Sequence, residues 1–197
     1  LVSMSEAQWH ETPYQPRHPI SAYALAASRH MHQYGTTREM FAEVAVSARH
    51  WANLNPQACA RGPLSIDQVM SARMLSDPLS TADCCLVTDG GGACIMVRAE
   101  RAGDSSKSPV YFLGAAGAQW HRSIVAIPDL TVTAASESGP RTMKMAGITH
   151  ADIDLVMLYD AFTINTLLFL EDLGFCPKGE GGRFVQNGRI ADRKSVV

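Results

Sequence analysis

The chain has 197 residues, 46% of them apolar and 18% charged, with a formal net charge of −2. That length supports one sizeable core, and the near-neutral balance argues against a broad nucleic-acid-binding or anionic-membrane surface. No apolar run approaches the ~18 residues of a spanning helix.

The start, Leu1-Val-Ser-Met-Ser-Glu6, has no basic segment ahead of an apolar one, so no signal peptide is read there. The absence of an initiating Met fits a piece of a longer chain. The five cysteines, Cys59, Cys84, Cys85, Cys94 and Cys176, are odd in number and irregularly spaced, which favours a reduced, cytoplasmic protein over a disulfide scaffold.

Residues 1–18 are polar and Pro-punctuated and read as a surface loop. Ile20, Ala24, Ala27, Met31 and Tyr34 then recur at helical spacing, and Gly35 closes that helix. Thr36 and Glu39 form a T-x-x-E signature for a second helix, with a buried stripe of Met40, Phe41, Val44, Ala45, Ala48 and Trp51 or Ala52, ended by Asn53-Leu-Asn-Pro56. Ser65 and Gln68 make another capping box, opening a short helix to about Met74, and Asp77-Pro78 breaks it.

Buried strands are predicted next, at 84–88 and 93–97, joined by a turn at Asp89-Gly-Gly-Gly92. The polar stretch 99–108 reads as the main boundary, and Val110-Tyr-Phe-Leu113 as a further strand. A helix is predicted from Ser138-Gly-Pro-Arg141 to Gly147, with Pro140 near its first turn. After Thr149-x-x-Asp152, a buried strand Ile153–Leu158 turns directly into a helix beginning near Asp160 and ending at Gly174. In the Gly- and charge-rich tail 178–197, Phe184 and Val185 are the only strand-like pair.

A strand that runs straight into a helix places its last residues at a sheet edge, where α/β proteins bind ligands. Tyr159 and Asp160 are the polar side chains at that junction, and they are the candidate site. The plainer alternative makes Asp160 an ordinary N-cap. Asp89-Gly-Gly-Gly-Ala93 lacks the Lys-Ser/Thr and following helix of a phosphate loop, and Gly179-Glu-Gly-Gly182 is equally weak. The seven histidines show no ligand spacing and no CxxC exists, so no metal site is expected. Cys84, Cys85 and Cys94 lie in strand-like runs and Cys176 follows a helix, positions that do not suit an activated thiolate.

Three blocks carry a family resemblance. The first is Tyr34-Gly-Thr-Thr-Arg-Glu39 with Phe41-Ala-Glu-Val-Ala-Val-Ser-Ala-Arg49, Asn55-Pro56 and Arg61-Gly-Pro-Leu-Ser-Ile66. The second is Asp77-Pro-Leu79 with Asp83-Cys-Cys-Leu-Val-Thr-Asp-Gly-Gly-Gly-Ala93. The third is Gly147-Ile-Thr149, Asp152-Ile-Asp-Leu-Val156 and Tyr159-Asp-Ala-Phe162. Together they resemble the sterol-carrier or lipid-transfer branch of the thiolase superfamily over roughly residues 10–190.

The resemblance implies an α/β fold of the layered αβαβα thiolase type, incomplete here. Residues 1–98 would form the loop region and last strand of the N-terminal half, and 99–197 part of the C-terminal half. It implies a homodimer acting on acyl-CoA, with coenzyme A thioester as substrate and no further cofactor. The nucleophilic cysteine and the C-terminal histidine of family thiolases have no counterpart here, so this chain alone is expected to be inactive as a thiolase.

Thiolases carry Asn-Glu-Ala-Phe at the junction, and the sterol-carrier branch His-Asp-Cys-Phe. Tyr159-Asp-Ala-Phe162 is similar to lipid-transfer proteins of steroid side-chain breakdown, which perform a retro-aldol cleavage with an OB-fold partner subunit. By that resemblance Tyr159 is the catalytic residue acting on the substrate hydroxyl, and Asp160 fixes the junction. The alternative is a non-catalytic acyl-CoA or lipid-binding module.

Overall fold

The computed structural model describes residues 9, 12–104, 106–121 and 124–191. Most of the predicted surface loop before residue 9 and the end of the tail lie outside them. Helix α1, Ile20–Tyr34, ends at Gly35, whose φ of 73° is the left-handed conformation that favours glycine.

Helix α2, Arg38–Leu54, starts one residue later than the T-x-x-E signature suggests, and Thr37 occupies the N-cap position. The Thr36 hydroxyl lies 2.7 Å from Nδ1 of buried His30, so a residue of the preceding helix has taken the hydroxyl that would have capped this one. A hydrogen bond from the Thr37 side chain, followed by the Glu39 backbone, holds the Glu39 carboxyl below its ordinary range.

Helix α3, Ile66–Met70, carries the expected capping box. The Gln68 N–H donates to Ser65 Oγ at 3.2 Å and the Ser65 N–H to Gln68 Oε1 at 2.8 Å. Ser65→Ala should therefore lower stability by about 0.5–2 kcal/mol, read as a shifted urea midpoint with an unchanged slope. The helix stops at Met70, short of the predicted end, and Met74–Ser76 instead forms strand β1. This strand pairs antiparallel with β2, Leu79–Ser80, across the cis Asp77-Pro78 peptide.

Helix α4 spans Ala135–Ala146, so it begins three residues before the predicted Ser138 and holds Pro140 in its interior. Its start is displaced because Thr133, just ahead of it, is tied by its N–H and hydroxyl to Asp172 Oδ2, both at 2.7 Å. Helix α5 spans Thr163–Asp172, three residues later than the start predicted at Asp160. Helix α6, Gly181–Val185, contains the Phe184-Val185 pair read as strand-like.

The predicted strands at 84–88, 93–97, 110–113 and 153–158 form no ladder. Among the described residues their only pairing is an isolated bridge, Cys84 to Phe162. Apolar runs identify chain suited to a sheet interior, but a strand also needs a hydrogen-bonded neighbour along its length, and beyond that one bridge these stretches have none among the described residues. Val87, Ile95, Val110 and Met157 stand 88–102% exposed.

The core is built instead around α5, which is buried on nearly every side. Ile164, Leu167, Leu168 and Leu170 pack with Ala24 and Ala27 of α1, Phe41 and Val44 of α2, Leu79 and Val185. A helix apolar all round belongs at the centre of a fold. No helix of the described residues is long and apolar enough to cross a membrane.

A buried polar network fastens α1 to α5 and the tail. His30 and Glu171 side chains are both fully buried, with Nε2 3.0 Å from Oε1. Lys178 Nζ reaches Glu171 Oε2 at 3.2 Å and also pairs with Asp172. The Gly181 N–H donates to Glu171 Oε1 at 2.8 Å. Side chains at Gly179 and Gly181 would collide with the Tyr34 ring and with Glu171, so the glycines of Gly179-Glu-Gly-Gly182 allow close packing.

Candidate functional site

The junction is held from the side by Asp83. Ser80-Thr-Ala-Asp83 is an S-x-x-D capping box in which Asp83 Oδ2 accepts from the Ser80 N–H and hydroxyl, both at 2.7 Å. The remaining oxygen, Oδ1, accepts from the Thr163 hydroxyl at 2.8 Å. Thr163 is the first residue of α5, and both partners are buried. The Cys85 N–H donates to the Ala161 carbonyl at 3.0 Å.

Asp83, rather than Asp160, therefore fixes where the helix begins. Phe162 occupies the N-cap position with no side-chain cap, which corrects the N-cap reading of Asp160. Asp83 was missed as a positioning residue, although the S-x-x-D signature at 80–83 was there to be read.

Beside this anchor lies a cavity of about 370 Å³ between α2 and the 81–86 run. Its wall includes Asp160, Asp83, Thr163, Cys59, Cys84 and Cys85, with Ala45 and Ala48 of α2 opposite. Tyr159, the other candidate, does not line it and stands 72% exposed. Neither Tyr159 nor Asp160 has a side-chain hydrogen-bond partner among the described residues, so both are free to meet a ligand.

The thiols divide by environment. Burial, then the neighbouring Asp83 and Cys85 charges, pushes the Cys84 thiol up, and it donates weakly to the Ser80 carbonyl at 3.4 Å. Burial and then Glu171 push Cys176 up to about 12. Both are held as thiols, which are poor nucleophiles. Among the described residues no three His, Cys, Asp or Glu side chains gather as metal ligands. His150 is structural, with Nε2–H donating to the Leu173 carbonyl at 2.7 Å.

Comparison with known proteins places this geometry. A family profile described as Thiolase C-terminal domain-like matches residues 116–196. An acetyl-CoA acetyltransferase of Methanothermobacter thermautotrophicus is 41% identical over 169 residues, covering 85% of this chain and 44% of that protein. A steroid side-chain-cleaving aldolase of Thermomonospora curvata is 34% identical over 189 residues, covering 90% of this chain and 47% of that protein. A solved structure described as an Ltp2-ChsH2(DUF35) aldolase superposes with a TM-score of 0.87 at 31% identity, over 96% of this chain and 52% of that one.

The chain belongs to the thiolase superfamily. It spans about half the length of the relatives it matches. Its path is that of a partial thiolase-like α/β domain, as the sequence blocks implied, even though the thiolase strands form no ladder among its described residues. In thiolase-like terms, the Tyr159-Asp-Ala-Phe162 junction sits at the mouth of the buried helix α5, braced by Asp83 and flanked by a cavity of substrate-binding size.

Proposed function

We propose that this chain is part of a thiolase-like acyl-CoA enzyme that makes or breaks a carbon–carbon bond next to a thioester, with Tyr159 and Asp160 at the reacting centre. The observation that supports this reading is the junction itself. Asp160 lines a cavity at the start of α5, and the Tyr159 hydroxyl beside it is unengaged.

A tyrosine hydroxyl can donate to a developing oxyanion or exchange a proton with substrate. Asp160, lining the wall, would orient the bound thioester and the first turn of α5. Coenzyme A enters as part of the substrate, and a homodimer is the assembly that this reading carries.

Between acyl transfer and retro-aldol cleavage, the tyrosine at the junction favours the second, because a phenol can exchange a proton with a substrate hydroxyl. Cleavage of a β-hydroxyacyl-CoA proceeds without a thiolate. The hydroxyl proton passes to a base, the Cα–Cβ bond breaks and its electron pair becomes the thioester enolate. Protonation at Cα then leaves a carbonyl compound and a shorter acyl-CoA. The similarity to the Ltp2-ChsH2(DUF35) aldolase supports an OB-fold partner subunit in this version.

Calorimetry tests the binding half of the reading. Titration with a non-hydrolysable acyl-CoA thioether should give saturable heat, and Ala48→Trp, which fills the cavity from an exposed position on α2, should abolish it. No heat with the unsubstituted protein, or unchanged binding by Ala48→Trp, would remove the cavity from the account.

A further inference from the structure

On the opposite side of α5 lies a second and larger cavity of about 930 Å³, between α1, the 118–138 run and α5. Its volume falls within the roughly 300–1,000 Å³ of ligand sites. Among the described residues no Asp, Glu, Lys or Arg contributes to its wall, which is largely aliphatic and aromatic, with Tyr23, Leu130, Leu168 and Phe169 among its residues. Exposed Trp120 and His121 mark where it meets solvent.

One polar side chain in this wall is unexplained. Asn165 is only 6% exposed; its Oδ1 is buried without a hydrogen-bond partner, and no protein group pairs with its amide nitrogen among the described residues. Among the other polar wall residues, Tyr23, Gln119, His121 and Ser138 are half-buried or exposed and can meet water, and two groups are engaged within the protein. The Thr133 N–H and hydroxyl donate to Asp172, and Trp120 Nε1–H donates to Glu137 Oε2 at 2.8 Å. Buried polar groups are almost always paired, so an unpaired carboxamide in the wall of an apolar cavity points to a partner beyond the described residues.

We propose that this cavity binds a neutral, apolar alcohol whose hydroxyl pairs with the Asn165 carboxamide. A hydroxyl both donates and accepts, so it satisfies the amide whichever end faces the cavity. A charged ligand is disfavoured because no carboxylate, ammonium or guanidinium among the described wall residues compensates its desolvation. The proposal does not depend on the acyl-CoA reading, because Asn165 lines this cavity while Thr163 and Asp160 line the other.

The test is equilibrium dialysis with 2-naphthol and 2-methylnaphthalene, which match in shape and differ in the hydroxyl. Both probes should bind the unsubstituted protein. Asn165→Leu should lower the ratio of naphthol to methylnaphthalene affinity about 3–10-fold, the worth of one hydrogen bond. Ala135→Trp, which fills the cavity, should lose both probes while circular dichroism stays unchanged. An unchanged ratio in Asn165→Leu, wild-type binding by Ala135→Trp, or no binding of either probe to the unsubstituted protein would each overturn the proposal.

Discussion

Glu171→Ala is expected to destabilise the fold by about 3–5 kcal/mol, because it leaves the enclosed His30 Nε2 without its carboxylate partner and takes from Lys178 one of its two carboxylates. His30 is fully enclosed and keeps only the Thr36 hydroxyl as a partner. The Gly181 N–H loses its acceptor as well. Glu171→Gln preserves the shape and the amide contact and should cost less. Urea denaturation of the two variants separates the charge from the packing.

The same carboxylate sets a pH dependence. Burial pushes the Glu171 carboxyl up, but hydrogen bonds from His30, Gly179 and Gly181, together with the His30 charge, outweigh it and hold the group below its ordinary value of 4.5. A carboxyl depressed in the folded state stabilises the fold above its unfolded value. That contribution is lost as pH falls below 4.5 and through the folded value. Glu171→Gln should flatten this acid limb of the stability profile, and an unflattened limb would place the dependence elsewhere.

The second large effect concerns the junction. If Tyr159 exchanges a proton with substrate, Tyr159→Phe removes that exchange and keeps the ring, so the rate should fall by ~10²–10⁴-fold. The loss should lie in kcat with KM nearly unchanged, because proton exchange acts in the transition state rather than in ground-state binding. Stability should not move, since the hydroxyl has no protein partner to lose.

What the sequence disclosed follows from how local each signal is. The α1 stripe and its Gly35 stop, and the Ser65–Gln68 box, depend on residues at most four apart in the chain. Each was legible for that reason. Where a partner from another element intervened, the reading slipped. Thr36 is engaged by His30 rather than by the end of its own helix. Thr133 is held by Asp172, which moves the start of α4 forward.

Asp160 is not the cap of α5 because Asp83, eighty residues earlier, holds Thr163. The strand-like runs at 84–97 and 153–158 were recognisable by their apolar content, but ladder pairing is non-local and no periodicity reports it. The cavity beside Asp160 and the larger one around Asn165 are assembled from separated segments, so neither could be read from spacing. The family blocks were legible because they preserve order and residue identity together, and the similarity over 85–96% of the chain bears them out.

The central claim is that Tyr159 performs proton chemistry on an acyl-CoA. Its most direct test is product analysis with the protein as its native cells make it, in parallel with Tyr159→Phe. Both acyl transfer and β-hydroxyacyl-CoA cleavage would be followed from the same acyl-CoA pool. The account predicts release of a carbonyl compound and a shorter acyl-CoA by the unsubstituted protein, and loss of that release by ~10²–10⁴-fold in the variant. Equal product formation by the two proteins, or no product from either substrate, would contradict it.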